Sequence, residues 1–186
     1  ALGIVVQEIS FRWTNAVGQR IGSPMLVANA WHHRSDVLSS LAEVPLEQWD
    51  ALARDDSPFL ESGWLASLEE AACVGPEHGW VPQHLVLRDG DELVAACPAY
   101  VKYHSQGEFV FDHAWARAAE GAGIRYFPKL LVAAPFTPAT GRRFVVKPGL
   151  DPAQAVRIFG EVLRNVSERQ GISSVHVNFC LPEEAT

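Results

Sequence analysis

The triplet Asp89-Gly90-Asp91 constrains this chain more than any other feature, because apolar runs flank it over residues 83–88 and 92–97. Glycine accepts the positive φ that a tight turn demands, so Asp-Gly between two such runs is a hairpin signature. The second run continues past Pro98 into Ala99-Tyr100-Val101-Lys102-Tyr103. Proline cannot donate to a ladder, so a bulge or a sheet edge is expected there. The spacing therefore predicts an antiparallel hairpin over 83–103 inside a central sheet.

The remaining elements follow from periodicity and punctuation. Residues 4–13, Ile-Val-Val-Gln-Glu-Ile-Ser-Phe-Arg-Trp, are rich in β-branched and aromatic side chains and predict a strand. Residues 14–36 carry Gly18, Gly22, Pro24 and a His32-His33-Arg34 cluster, and read as an irregular extension. Pro45 before Leu46-Glu47-Gln48-Trp49 marks a helix start, and Trp64, Leu65 and Leu68 share one face of a second helix over 62–72. A helix is expected near 112–121, and short strands over 130–134, 143–147 and 172–179. Asp151-Pro152 opens an amphipathic helix to about 169, with Val156, Phe159, Val162, Leu163 and Val166 as its stripe and Gly171 as its stop. Helices, meander, strand, helix and strand in that order predict an α+β (mixed α/β) fold, with a mostly antiparallel central sheet flanked by helices.

The bulk properties narrow the possibilities. With 186 residues, 48% of them hydrophobic and 20% charged, the chain suits one soluble globular domain. A net charge of −7 argues against a broad face that grips nucleic-acid backbone. Apolar runs are short and interrupted, so no transmembrane segment is expected. Cys73, Cys97 and Cys180 are scattered without metal-ligand spacing, and buried thiols in a reducing compartment are the expectation. No secretory signal pattern opens the sequence. The expected location is the cytoplasm, or an organelle stroma or matrix if Ala1 is a processed targeting site.

Chemistry concentrates in one stretch. His104, Glu108 and Asp112 are candidate catalytic residues: histidine titrates near neutrality, and burial can raise a glutamate into the working range of a general acid or base. Tyr103, His113, Trp115, Tyr126, Lys129, Thr137 and Arg142 are candidate substrate contacts around them. The same cluster also reads as a buried polar network that pins a long loop. Arg125, Lys129, Arg142 and Arg143 either meet an anionic donor or stand as solvated surface charge. No metal site is expected, since His104, Asp112 and His113 lack a recognisable ligand spacing.

Several blocks recur in a fixed order. They are Asp56-Ser57-Pro58-Phe59-Leu60, residues 65–70, Val74-Gly75-Pro76-Glu77-His78-Gly79-Trp80, residues 100–115, Arg125-Tyr126-Phe127-Pro128-Lys129-Leu130, and Pro135-Phe136-Thr137-Pro138-Ala139-Thr140-Gly141. Over 36–186 the chain resembles the FemAB-like family, a GNAT-superfold branch labelled peptidoglycan biosynthesis or recognition. The resemblance implies a single GNAT-like domain over 35–186, and the irregular extension over 1–34 with its one strand lies outside it. It implies acyl or aminoacyl transfer to an amine, with acyl-CoA or aminoacyl-tRNA as donor only where the family activity is retained. Members run on into a second GNAT-like half that this sequence does not include. The N-acyltransferase reading therefore stays open beside that of a non-catalytic interaction module whose partners are other protein subunits. Trp115, Tyr126, Phe127 and Phe136 are the aromatics expected to face such partners.

A GNAT acyl-CoA site holds pyrophosphate on backbone N–H groups at a helix N-terminus. Here that place is Lys147-Pro148-Gly149-Leu150-Asp151-Pro152, where two prolines remove donors and Asp151 opposes phosphate charge. No resident cofactor is therefore expected, and calorimetric titration with acetyl-CoA should show weak binding or none. A micromolar dissociation constant would contradict this.

Overall fold

A computed structural model of the chain describes residues 35–54 and 57–185, together with 15, 16 and 20. The strand expected over 4–13 lies outside the described residues.

The hairpin is present and organises everything around it. Strands β3 (His84–Asp89) and β4 (Glu92–Cys97) are antiparallel, and Gly90 at φ 62° turns the chain between them. Each arm extends past a break into a further strand, β2 (Trp80–Pro82) on one side and β5 (Ala99–Lys102) on the other. Leu85 faces Cys97 and Pro82 faces Tyr100, so one register runs through both halves. The register shift falls between Leu87 and Arg88, near the turn, and not at Pro98 as the proline suggested.

What happens at Pro98 is a change of sheet. β3 and β4 belong to a sheet of order β1-β3-β4-β7, with β1 at Ser35–Leu38 and β7 at Val145–Val146. β2 and β5 belong to a second sheet of order β2-β5-β6-β8, with β6 at Lys129–Val132 and β8 at Val175–Val177. The expected single central sheet is thus two four-stranded sheets sharing one bent ribbon. Pro98 removes a donor at the bend, and Gln83 N–H bonds Ala99 O at 2.8 Å across it. The buried His84 ring accepts the Ala99 N–H on Nδ1 at 3.3 Å and meets Glu69 Oε1 through Nε2 at 2.9 Å. All pairings are antiparallel except β6 with β8.

Period-two alternation sorts the strand residues between cores. Leu85, Leu87, Val101, Leu130 and Val132 pack with helix α4 (Pro152–Gln170), whose Ile158, Phe159, Val162 and Leu163 are buried. Val86, Ala96 and Val145 face the opposite way, onto helices α1 (Leu46–Ala53) and α2 (Ser62–Glu70). Trp80, Tyr100 and Leu131 form a third cluster on the outer face of the second sheet. A short helix α3 (His113–Gly121) links β5 to β6 and buries no side chain. α4 begins and ends as its sequence predicts: Asp151 accepts the Ala153 N–H at 3.0 Å, and Gly171 stops the helix at φ 63°.

Phe159 is fully buried and stacks on Phe144 with ring centroids 5.3 Å apart. Phe159→Ala should lower stability by about 3–5 kcal/mol, while Trp115→Ala on the exposed face should change it by less than about 0.5 kcal/mol. Urea unfolding of the two variants checks this.

Candidate functional site

β5 and β6 place two lysines directly opposite each other, Lys102 across from Lys129, on the sheet face that also carries Tyr100 and Leu131. Both are fully buried. Two like charges in that position repel, and neither can be left unpaired away from water. The loop over 103–112 folds across them and supplies what they lack.

Lys129 Nζ donates to Asp112 Oδ2 at 2.6 Å and to Ser105 Oγ at 3.3 Å, and it lies 2.9 Å from Glu108 Oε2. Tyr126 donates its hydroxyl to the same Asp112 oxygen at 2.7 Å. Lys102 Nζ donates to Gln106 O at 3.1 Å and sits 3.8 Å from the centroid of the Trp80 indole. Trp80 Nε1–H reaches the same carbonyl at 3.2 Å. Gly107 adopts φ 79°, and a Cβ there would approach the Phe136 ring to 2.8 Å. Phe109 and Phe111 adopt φ of 60° and 53°, an uncommon conformation for bulky residues, in the stretch between the inward-facing Glu108 and Asp112.

The electrostatics sort these groups. Burial, followed by the neighbouring Lys129 charge, pushes Lys102 down to about 7, against the pull of Glu108 in the other direction. Burial raises Glu108 from its ordinary value despite its ion pair with Lys129. Burial also works against ionised Asp112, yet hydrogen bonds from Lys129, Ser105 and Tyr126 win and hold it at about 2. Tyr126 rises through burial and its bond to Asp112. His176, half-buried beside Tyr126, falls through burial and then the charge of Lys129. Lys129 and Asp112 therefore form a fixed charged pair. Burial thus moves Lys102 down and Glu108 up, each toward its neutral form.

Of the residues singled out from the sequence, Glu108, Asp112, Tyr126 and Lys129 come together here. His104 instead packs against Gly79, where an added Cβ would lie 2.6 Å from Nε2, and its Nδ1 accepts the Gln106 N–H at 3.2 Å. Burial, then the Lys102 charge, lowers its pKa. Tyr103, His113, Trp115 and Arg142 are exposed, and Thr137 donates its hydroxyl to Pro135 O at 3.0 Å. Among the aromatics expected to face partners, Trp115 and Phe136 are exposed, while Tyr126 and Phe127 are half-buried.

Two of the four cations weighed as surface charge are buried instead. One is Lys129, and the other is Arg143, whose guanidinium donates to the carbonyls of Ala139, Gly141, Arg142 and Asn178. Lys102 was not singled out. Alternation with Tyr100 was the sequence signal that placed it on a buried face. Among the described residues, no group of three or more His, Cys, Asp and Glu could hold a metal ion. Among the same residues, no helix is long and apolar enough to cross a membrane.

A family model described as FemAB-like, peptidoglycan biosynthesis/recognition, matches residues 40–186. Short stretches are also similar to curated proteins. An uncharacterized metal transporter of Schizosaccharomyces pombe is 39% identical over 62 residues, covering 33% of this chain and 14% of that protein. An uncharacterized transporter of Methanocaldococcus jannaschii is 50% identical over 40 residues, 22% of this chain and 14% of that one. Magnetosome protein MamB of Magnetospira sp. is 46% identical over 41 residues, with the same shares. The chain thus spans 14% of the length of these relatives, and fragments of that size assign it no transport function. No solved structure matches the chain.

The titrations carry signs that can be measured. Asp112 sits at about 2 against an ordinary 3.8, so its contribution to stability is present above 3.8 and lost as pH falls through about 2. Lys102 sits at about 7 against an ordinary 10.5, so the folded state binds fewer protons between these values and stability rises with pH across them. Relative to Lys102→Met, the wild-type chain should gain stability from pH 7 toward pH 10 in chemical denaturation. A constant difference would contradict the assignment.

Proposed function

The chain belongs to the FemAB-like family, and from that premise we propose that it transfers an acyl or aminoacyl group to an amine acceptor, with the Lys102–Glu108–Lys129–Asp112 cluster serving the acceptor side. The family match supports the general role in peptidoglycan biosynthesis or recognition. The observation that carries the finer reading is the cross-strand lysine pair, buried and covered by two loop carboxylates.

The reaction needs what such a cluster provides. An amine arrives protonated at neutral pH and must lose a proton before its lone pair can attack the donor carbonyl. A carbon–nitrogen bond then forms, the bond from the carbonyl to the leaving oxygen or sulfur breaks, and the leaving group takes up a proton. Glu108, raised by burial and with Oε1 free of hydrogen bonds among the described residues, fits the proton acceptor. Lys102, lowered to about 7 and within the electrostatic reach of Glu108, gives the cluster a group that titrates near neutrality. The Lys129–Asp112 pair holds the loop that presents Glu108. Acyl-CoA and aminoacyl-tRNA are the donor classes to compare, and the proline-rich turn before α4 counts against acyl-CoA.

The test offers each donor with a peptide bearing a free amine and looks for a new amide by mass spectrometry. Glu108→Gln should lower turnover by about 10²–10⁴-fold, with the fold intact by circular dichroism. Unchanged turnover in a folded variant would remove Glu108 from the chemistry.

A further inference from the structure

The groups assigned to the chemistry are sealed. Lys102 and Lys129 are fully buried, and the Glu108 side chain exposes no surface. A base must come within about 3 Å of the group whose proton it takes, so an acceptor amine reaches Glu108 only if part of the cover moves. The floor of the cluster is fixed, because β2, β5 and β6 hold Trp80, Lys102 and Lys129 in ladder register. The cover is the loop over 103–112.

That loop is anchored differently from the strands beneath it. Its buried residues are Ser105, Glu108 and Asp112, all polar. Among the described residues, 104–111 make no backbone–backbone hydrogen bond. Polar contacts with the sheet hold the loop instead. Ser105, Glu108 and Asp112 meet Lys129, and the Gln106 carbonyl accepts from Lys102 and from the Trp80 indole. Packing adds the His104 ring against Gly79 and the Phe136 ring against Gly107. Phe109 and Phe111 sit at positive φ, a conformation that persists only while its surroundings hold it. A segment without buried apolar side chains or a backbone ladder opens at a lower free energy than the strands it covers. Breaking its contacts to the two lysines frees it, and the strained backbone relaxes on release.

We propose that the loop over 103–112 is a lid latched by Lys102 and Lys129, which opens to admit the acceptor amine and carries Glu108 onto it on closing. The base rides on the moving part, so closure completes the site and shuts out water in one step. Glu108 Oε1, without a hydrogen-bond partner among the described residues, is the atom that the amine N–H meets in the closed state. The purpose of the lid rests on the transfer reading above, whereas its opening is measured without donor or acceptor.

Side-chain reactivity of the whole chain tests it. Lys102 and Lys129 report the lid through an amine-modifying reagent, and Cys97, fully buried on β4, reports unfolding of the hairpin through a thiol reagent. Each rate, read by peptide mass spectrometry and divided by the rate in the denatured chain, gives an opening constant. The lysine constants should exceed that of Cys97 by about tenfold or more. Asp112→Asn weakens the latch and should widen that gap by about a further tenfold. Lysines that react only in step with Cys97, or a gap that Asp112→Asn leaves unchanged, overturn the lid. A chain whose lysines open ahead of Cys97 but which transfers no group keeps the lid and loses the transfer reading. One that transfers while its lysines stay in step with Cys97 does the reverse.

Discussion

Two lysines side by side on neighbouring strands, both cut off from water, are the constraint to which the rest of this structure answers. Lys102 and Lys129 cannot both remain charged there without counter-ions. The loop from 103 to 112 exists in its present form because it brings Glu108 and Asp112 down onto them. Its backbone shows what that demands. Gly107, Phe109 and Phe111 all adopt positive φ, and the Phe136 and Trp80 rings close around the Gly107 position. A loop serving only to connect β5 to α3 would not need such a conformation. The cluster holds the loop, and the loop in turn presents Glu108 within the cluster.

The bent ribbon is the frame that makes the cluster possible. Because one register runs from Trp80 to Lys102, the residues on β5 are aligned with those on β2 and β3 before the second sheet is completed by β6 and β8. At the bend Pro98 has no N–H to give the ladder, and the His84 ring supplies an acceptor for the neighbouring Ala99 N–H. His84 is itself held by Glu69, which also bonds the Ser40 hydroxyl and the Leu41 N–H. The sheet crossing is thereby tied to the start of the described chain and to α2. The polar groups at its centre form one connected set, which gives the bend a single geometry.

At the lysine cluster, burial amplifies every charge, and small displacements decide which group carries the proton. The exposed ion pairs elsewhere, such as Lys147 with Glu92 and Arg88 with Asp36, are solvated and contribute little each.

The hairpin, the α4 helix with its Asp151 and Gly171 boundaries, and the α+β class were all determined by local sequence. Turn chemistry, capping and apolar periodicity act over a few residues and leave their mark in residue order. Membership of residues 40–186 in the FemAB-like family was legible in the same way, from blocks such as 100–115. Glu108 and Asp112 could be named as a possible acid–base pair because they sit in one short stretch. That Lys129 would meet them, that Lys102 would lie beneath the loop, and that Arg143 would be buried among carbonyls were decided only by tertiary structure. Each depends on pairing between strands far apart in sequence, and a lysine on a strand looks the same in the sequence whether its neighbour is water or another lysine. The division into two sheets belongs with these, because Pro98 announces an interruption but only the strands recruited on either side decide that it becomes a crossing.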